Sequence, residues 1–247
     1  MAFRASAALR TLLCLIVVPA YVLVVGPPAL IWTLLSRDSR FIYWAGRTGI
    51  RLGLAVVGVR LDLVGTQHIQ RTSGAVYAAN HISNLDPACM FAALSVLRTR
   101  VKFLYKADLR ALPIMVWVFD VAGFVPIERA NRGQSMPAVE RAAEGLRRGD
   151  AFIVFPEGTR SRTGELLPFK KGGFIMALSA QVPMVPVVIA GSRAAMRKGG
   201  WVVQPVTVRI EFLPPLVTAG RAVAARDELG DELRRVIESA LQSGACE

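Results

Sequence analysis

The residues of this 247-residue chain with the clearest chemical potential lie at 80–87, Asn-His-Ile-Ser-Asn-Leu-Asp-Pro. His81 is one of two histidines in the chain, and Asp86 follows five residues later. A neutral imidazole steadied by a carboxylate can take a proton from an alcohol. No serine or cysteine is paired with His81 in a nucleophile motif. The simplest chemistry is therefore a base acting on a substrate hydroxyl, with no covalent intermediate. A purely structural reading stands beside it. Asp86-Pro87 suits a helix start, because Asp accepts a backbone N–H and Pro has none to lose, and His81 can be a histidine satisfied at a strand end. On an ideal helix, side chains five apart diverge by about 140°. The two can meet only if His81 lies in a turn and Asp86 at the start of a helix. The apolar runs 74–79 and 87–97 on either side supply the order strand, turn, helix.

Other polar groups sit where strands should end: Lys106, Glu128-Arg129, and Glu157-Gly158-Thr159-Arg160. Ligands of open α/β sheets bind beyond the carboxyl ends of strands. Gly158 and Thr159 offer backbone N–H groups. Arg129 and Arg160 offer forked donors suited to phosphate oxygens, and Lys106 adds a point charge. Taken singly, each arginine is also an ordinary solvated surface residue.

The elements that must position these groups follow from pattern. Strands are expected at 56–64, 74–79, 101–105, 123–129, 151–155, 182–189 and 201–212. Pro183 and Pro186 inside one of these runs place it at a sheet edge or a bulge. Helices are expected at 87–97, at 135–148 with a Ser135 cap, at 173–180, and at 221–242 as an amphipathic tail. The segment 112–122 is apolar, and His68 lies in a polar turn as a surface residue. Alternating strands and helices predict an α/β domain over 56–247.

The first 55 residues differ in kind. From 11 to 36 there is no charged residue, while Arg4 and Arg10 precede the run and Arg37, Asp38 and Arg40 follow it. The length suffices for a membrane span. Pro19 and Gly26-Pro27-Pro28 predict an interruption into pieces at 5–25 and 28–36. Beyond it, Phe41, Trp44 and Ile50 alternate with Arg40, Arg47 and Arg51, a composition suited to the headgroup boundary. The favoured reading is a helix pair dipping into one leaflet, with a single full span as the alternative. No A-x-A site closes the apolar core as in a secretory leader.

Composition narrows the partners. The chain carries a net charge of +12 and is 53% hydrophobic, with a mean hydropathy of +0.42 and a pI near 10.6. Such a chain is drawn to anionic lipid or an acidic carrier protein. Aromatic residues are 8% of the total, and no nucleic-acid-binding motif is present, which argues against nucleic acid. Cys14, Cys89 and Cys246 are odd in number and far apart, so neither a disulfide framework nor a zinc site follows. A reducing, cytoplasm-facing location fits.

With these residues in view the chain resembles the glycerolipid acyltransferase family, in particular its bacterial 1-acylglycerol-3-phosphate acyltransferases. The family pattern Asn-His-x-x-x-x-Asp corresponds to Asn80, His81 and Asp86. Gly-x-x-x-Ile-x-Arg corresponds to Gly123, Ile127 and Arg129. Phe-Pro-Glu-Gly-Thr-Arg-Ser corresponds to 155–161 without a mismatch, and Val-Pro-x-x-Pro-Val to Val182, Pro183, Pro186 and Val187. Lys106 and the segment 170–172 match further family positions. The likeness runs from about residue 30 to 215, and the N-terminal pair resembles the two-helix membrane motif of some members.

The resemblance implies an α/β fold with a central mixed sheet flanked by helices, behind the N-terminal hydrophobic pair. It implies transfer of a fatty acyl group from a coenzyme A or acyl-carrier-protein thioester to the sn-2 hydroxyl of lysophosphatidic acid. His81 is then the base, and Asp86 holds its tautomer. Lys106, Arg129 and Arg160 hold the acceptor phosphate. Glu157, Gly158 and Thr159 belong to the acceptor pocket, with Glu157 bonding a glycerol oxygen. Neither metal nor cofactor is implied, since a thioester is already activated. The expected location is the inner membrane, with the catalytic part facing the cytoplasm. The same chemistry on lyso-ornithine lipid, or a non-catalytic membrane-binding protein of the same fold, are the alternatives. The apolar stretches 87–97 and 112–119 are candidates to line an acyl channel.

Overall fold

The computed structural model describes residues 2–111, 113–127, 132–197 and 199–243. The chain opens with α1 (Ala2–Ser36) and α2 (Arg40–Val57). They run antiparallel and touch closely at glycines. A Cβ on Gly49 would lie 2.9 Å from the Tyr21 ring, and one on Gly53 would lie 3.3 Å from Val18. The expected interruption at Gly26-Pro27-Pro28 is absent: α1 continues through Pro19, Pro27 and Pro28. The chain turns instead at 37–39, where Arg37 takes φ 54° and Asp38 binds the Arg40 backbone and guanidinium. In an apolar surrounding an unbroken helix would be favoured, because breaking the ladder at a proline would leave further backbone groups unpaired where water cannot reach them. The flanking charges, which must stay wet, set the turn.

The remaining elements are β1 (Arg60–Val64), β2 (Ala75–Ala79), α3 (Asp86–Ala93), β3 (Val101–Lys106), α4 (Pro113–Val121), β4 (Val125–Ile127), α5 (Arg132–Arg147), β5 (Ala151–Val154), α6 (Gly172–Ala180), β6 (Met184–Ala190), α7 (Ser192–Ala195), β7 (Thr207–Phe212) and α8 (Arg226–Gln242). Several bounds differ from expectation. The residues at 56–57 finish α2, which ends at Gly58 in a left-handed cap. After Ala93 the chain tightens into a 3-10 turn through Arg100. Ser135 does not cap α5, which starts three residues earlier. Residues 201–206 have no regular structure, so β7 is half the expected strand.

Among the described residues the strands form one seven-stranded mixed sheet in the order β1-β7-β6-β2-β5-β3-β4. The five strands from β6 to β4 are mutually parallel, while β7 runs antiparallel to β6 and β1 follows β7. Side chains of alternate residues feed two cores. Tyr77, Ile153 and Val187 face α2 and α3. Val76, Phe152 and Val188 face α5, α6 and α8. A sheet covered on both faces requires strands that are apolar throughout, as β2, β5 and β6 are. In α8, Leu229, Leu233 and Ile237 repeat every four residues and are fully buried. Each such side chain contributes about 1.5–3 kcal/mol.

Of the two places expected for the proline-bearing strand, an edge or a bulge, the edge is excluded, for the strand is central. β6 lies between β7 and β2, and its prolines fall where no ladder bond is lost. Pro183 precedes the strand, and its carbonyl accepts the Val76 N–H at 3.0 Å. Pro186 stands at the end of the β6–β7 pairing, where its carbonyl accepts the Leu213 N–H at 2.9 Å.

Candidate active site

The parallel strands bring the ends of β2, β5, β6, β3 and β4 to one edge of the sheet, and the polar turns collect there. After β2, Asn80 is clamped to the neighbouring strand. Its side-chain N–H donates to Ile189 O at 3.0 Å, and its side-chain oxygen accepts the Ile189 N–H at 2.7 Å. This two-way bond fixes where the chain leaves the sheet, and so where His81 begins.

His81 Nδ1 lies 2.8 Å from Asp86 Oδ2. The carboxylate is completely buried, while the imidazole is 15% exposed. Asp86 is not a helix cap in the ordinary sense, for its carboxylate turns back. Oδ2 accepts the Ile82 and Ser83 N–H groups, each at 2.7 Å, and Oδ1 accepts the Ser192 hydroxyl at 2.6 Å. A buried carboxylate needs such donors, and the set leaves it one orientation. With Asp86 accepting at Nδ1, the proton sits on Nδ1, and Nε2 is the nitrogen left to act. The Phe155 ring stacks on the imidazole at 4.2 Å, 24° from parallel.

Glu157 is 3% exposed and braces the site from below. Oε1 accepts the His81 N–H at 2.7 Å, and Oε2 accepts the Leu167 N–H at 3.0 Å. The Ser161 N–H closes the link by donating to His81 O at 2.8 Å. Burial pushes the Glu157 carboxyl above its usual range, against the two backbone donors that lower it. Each oxygen thus holds one backbone donor. The carboxylate ties two turns together, and Glu157 is not among the residues lining the cavity beside His81.

A cavity of about 660 Å³ opens against His81. Its walls are Pro87, Ala88 and Phe91 of α3, Phe103 and Tyr105 of β3, Val118 and Phe119 of α4, and Ile42, Tyr43, Gly46 and Ile50 of α2. Both stretches expected to line a channel contribute, although Trp117 points outward and is 58% exposed. One wall was not foreseen, since α2 belongs to the hydrophobic pair. Tyr43 is its anchor. The hydroxyl lies 2.8 Å from the carbonyls of Val101 and Ala122 and accepts from Lys102 Nζ at 2.9 Å. Lys102 also donates to Thr99 O and Ala122 O, and its nearest carboxylate is Asp150 at 4.0 Å. Burial lowers the Lys102 pKa, partly offset by Asp150.

Of the cations expected at the site, Lys106 ends β3 but its side chain is not described, and Arg129 lies outside the described residues. Arg160 donates to the Asn84 side-chain oxygen and is not among the residues lining the cavity. Thr159 is exposed, and Gly158 lines the cavity with φ 68°. Lys170 lines the cavity too, packed so close to Gly158 that a Cβ there would lie 2.8 Å from Lys170 Cε. Sequence reasoning gave Lys170 and Ser192 no role. Both follow from the strand-end rule, as Ser192 comes two residues after β6 and Lys170 lies in the loop between β5 and α6.

The acyltransferase family profile matches residues 60–190, more than half of the chain. A Limnanthes douglasii protein named 1-acyl-sn-glycerol-3-phosphate acyltransferase is 30% identical over 182 residues, covering 73% of this chain and 62% of that protein. The Mus musculus protein named 1-acyl-sn-glycerol-3-phosphate acyltransferase alpha is 31% identical over 182 residues, covering 72% of this chain. The match thus spans 62% of the length of each of these relatives. The crystal structure of the 1-acyl-sn-glycerophosphate acyltransferase PlsC from Thermotoga maritima superposes with a TM-score of 0.81 at 24% identity, covering 99% of both chains. The fold is that of PlsC, and the chain belongs to the acyltransferase family.

Proposed function

We propose that the protein transfers a fatty acyl group from a thioester to the sn-2 hydroxyl of 1-acylglycerol 3-phosphate, giving phosphatidic acid. The observation that carries this is the His81–Asp86 pair set against an apolar cavity that the second helix of the N-terminal hairpin helps to wall. His81 Nε2 removes the hydroxyl proton as the oxygen attacks the thioester carbonyl. Asp86 holds Nδ1–H and stabilises the imidazolium that forms. Backbone N–H groups receive the oxyanion. The tetrahedral intermediate expels the thiolate, which recovers the proton from His81. No step calls for a metal. Lys106, Arg129 and Arg160 are the proposed clamp for the acceptor phosphate, beside Gly158 and Thr159. The cavity accommodates an acyl chain. α1 is long and apolar enough to cross a membrane; we place the hairpin in the cytoplasmic leaflet, with the site facing the cytoplasm. The relatives' printed names support this acceptor.

The test is reconstituted protein with labelled acyl-coenzyme A or acyl-carrier-protein thioester, and lysophosphatidic acid or lyso-ornithine lipid as acceptor. Phosphatidic acid should form, and His81→Ala should abolish it while membrane binding persists. Product from lyso-ornithine lipid alone would replace the acceptor. Full activity in His81→Ala would remove the base from the scheme.

A further inference from the structure

A second groove lies apart from the catalytic cavity, between the helix hairpin and the outer strands. Its volume is about 900 Å³. Three arginines from three elements face it: Arg10 of α1, Arg51 of α2 and Arg60 at the start of β1. None has an ion-pair partner among the described residues, and no carboxylate is among the described residues lining the groove. Its other walls are mainly apolar, with Leu54, Val59 and Val206 among them.

The arrangement is built rather than loose. Arg51 Nη2 donates to Ser95 Oγ at 3.1 Å. The Arg10 guanidinium lies over Gly58, where a Cβ would come within 2.4 Å of Nη1. Gly58 is left-handed at φ 77°, so a glycine meets both the backbone and the space requirement there. Three like charges converging on one groove repel, unless an anion occupies the space between them.

We propose that this groove binds the phosphate of an anionic phospholipid of the bilayer, a lipid distinct from the reacting one. A phosphate ester is the shared chemistry, and a lipid source is favoured by position. Arg10 stands where the uncharged run of α1 begins, so with α1 in the hydrocarbon the three guanidinium groups lie at headgroup depth. The apolar walls fit the glycerol end and upper acyl carbons. The inference rests on the proposed placement of α1 in the bilayer, but not on the transfer reaction.

The experiment uses the full chain in nonionic detergent and reads thermal unfolding. Dihexanoyl phosphatidylglycerol, dihexanoyl phosphatidylcholine and inorganic phosphate are titrated separately. The phosphatidylglycerol lipid should raise Tm saturably, as a ligand of the folded state does, and the other two should not. Arg10→Gln/Arg60→Gln, and Arg51→Gln alone, should weaken the apparent affinity by about fivefold per arginine. Arg71→Gln/Arg235→Gln, which removes two exposed arginines elsewhere, should leave it unchanged, as should Arg160→Gln. A shift that survives in the groove variants, or is lost equally in Arg71→Gln/Arg235→Gln, would overturn the site. An equal response to inorganic phosphate would overturn the lipid assignment. Flotation of the wild type on phosphatidylcholine vesicles tests the placement of α1 separately. Phosphatidic acid production tests the reaction, so a failure of either is told apart from a failure of the groove.

Discussion

The Asp86 carboxylate is completely buried. Four donors hold it, and His81 is the only one with a ring nitrogen to spare for chemistry. Asp86→Asn replaces one accepting oxygen with an amide that faces donors, so it should lower kcat by roughly 10²-fold or more with the fold intact by circular dichroism. Retained turnover would mean that the imidazole needs no fixed tautomer. Glu157→Gln has a different expected signature. The amide must present its N–H₂ to a backbone N–H, leaving one buried donor unsatisfied at a cost of about 1–3 kcal/mol. Tm should fall, and kcat should fall with it as the His81 backbone loosens. A raised acceptor KM at unchanged Tm would instead show that Glu157 contacts the substrate. Much of this site was legible in the sequence, because a histidine and a carboxylate five apart can meet only across a turn. The inward use of Glu157 was not legible. Which face a loop carboxylate presents depends on Leu167, ten residues on, which no local pattern reports.

Elements were legible in proportion to how local their causes are. The strands β2, β5 and β6 are apolar runs bounded by breakers and lie close to expectation. The turn of the hairpin was misplaced because helix-breaking power was read from proline alone. α1 instead keeps its ladder through all three prolines, and the chain turns at the charges of 37–40. β6 takes a central place despite its prolines, because Pro186 forbids a ladder bond only on one side and the regular pairing with β7 stops there. Because α2 walls the cavity, a change on that helix should alter the acyl group accepted. A Cβ at Gly46 meets nothing within 4 Å, and the residue lines the cavity. Gly46→Leu should therefore shift preference toward shorter acyl chains. Stability should hold or rise, since glycine inside a helix costs roughly 0.5–1 kcal/mol relative to alanine. Competition between thioesters of different chain length would show it, and an unchanged profile would mean the acyl chain lies elsewhere.

At the scale of the whole molecule, the hairpin and the sheet share one core. Tyr43, Leu54 and Val57 of α2 pack into the same cluster as Tyr77 and Ile153 of the strands. Deleting residues 1–57 should therefore yield an aggregating protein rather than a soluble catalytic domain; a monomeric, cooperatively folding fragment by gel filtration and thermal melting would refute this. The Tyr43–Lys102 contact gives the same coupling a pH signature. Lys102 holds its proton less tightly in the folded chain than at its ordinary pKa of 10.5. The unfolded chain therefore binds more protons in the window between the lowered value and 10.5, and stability rises with pH across it. Relative to Lys102→Met, the wild type should gain Tm as pH climbs toward 10. A constant difference between the two would show that the lysine titrates normally.

The wall that α2 contributes to the cavity has a kinetic consequence. Each methylene taken from water into an apolar space gains about 0.8 kcal/mol, but a chain already in hydrocarbon gains almost nothing by moving into such a chamber. Under the proposed reaction, the lipid substrate slides from one oily phase to another, so occupancy follows its mole fraction in the membrane rather than its bulk concentration. Diluting the bilayer with inert lipid at fixed total acceptor should slow the enzyme, whereas diluting the whole suspension at fixed lipid composition and saturating thioester should leave turnover per enzyme unchanged.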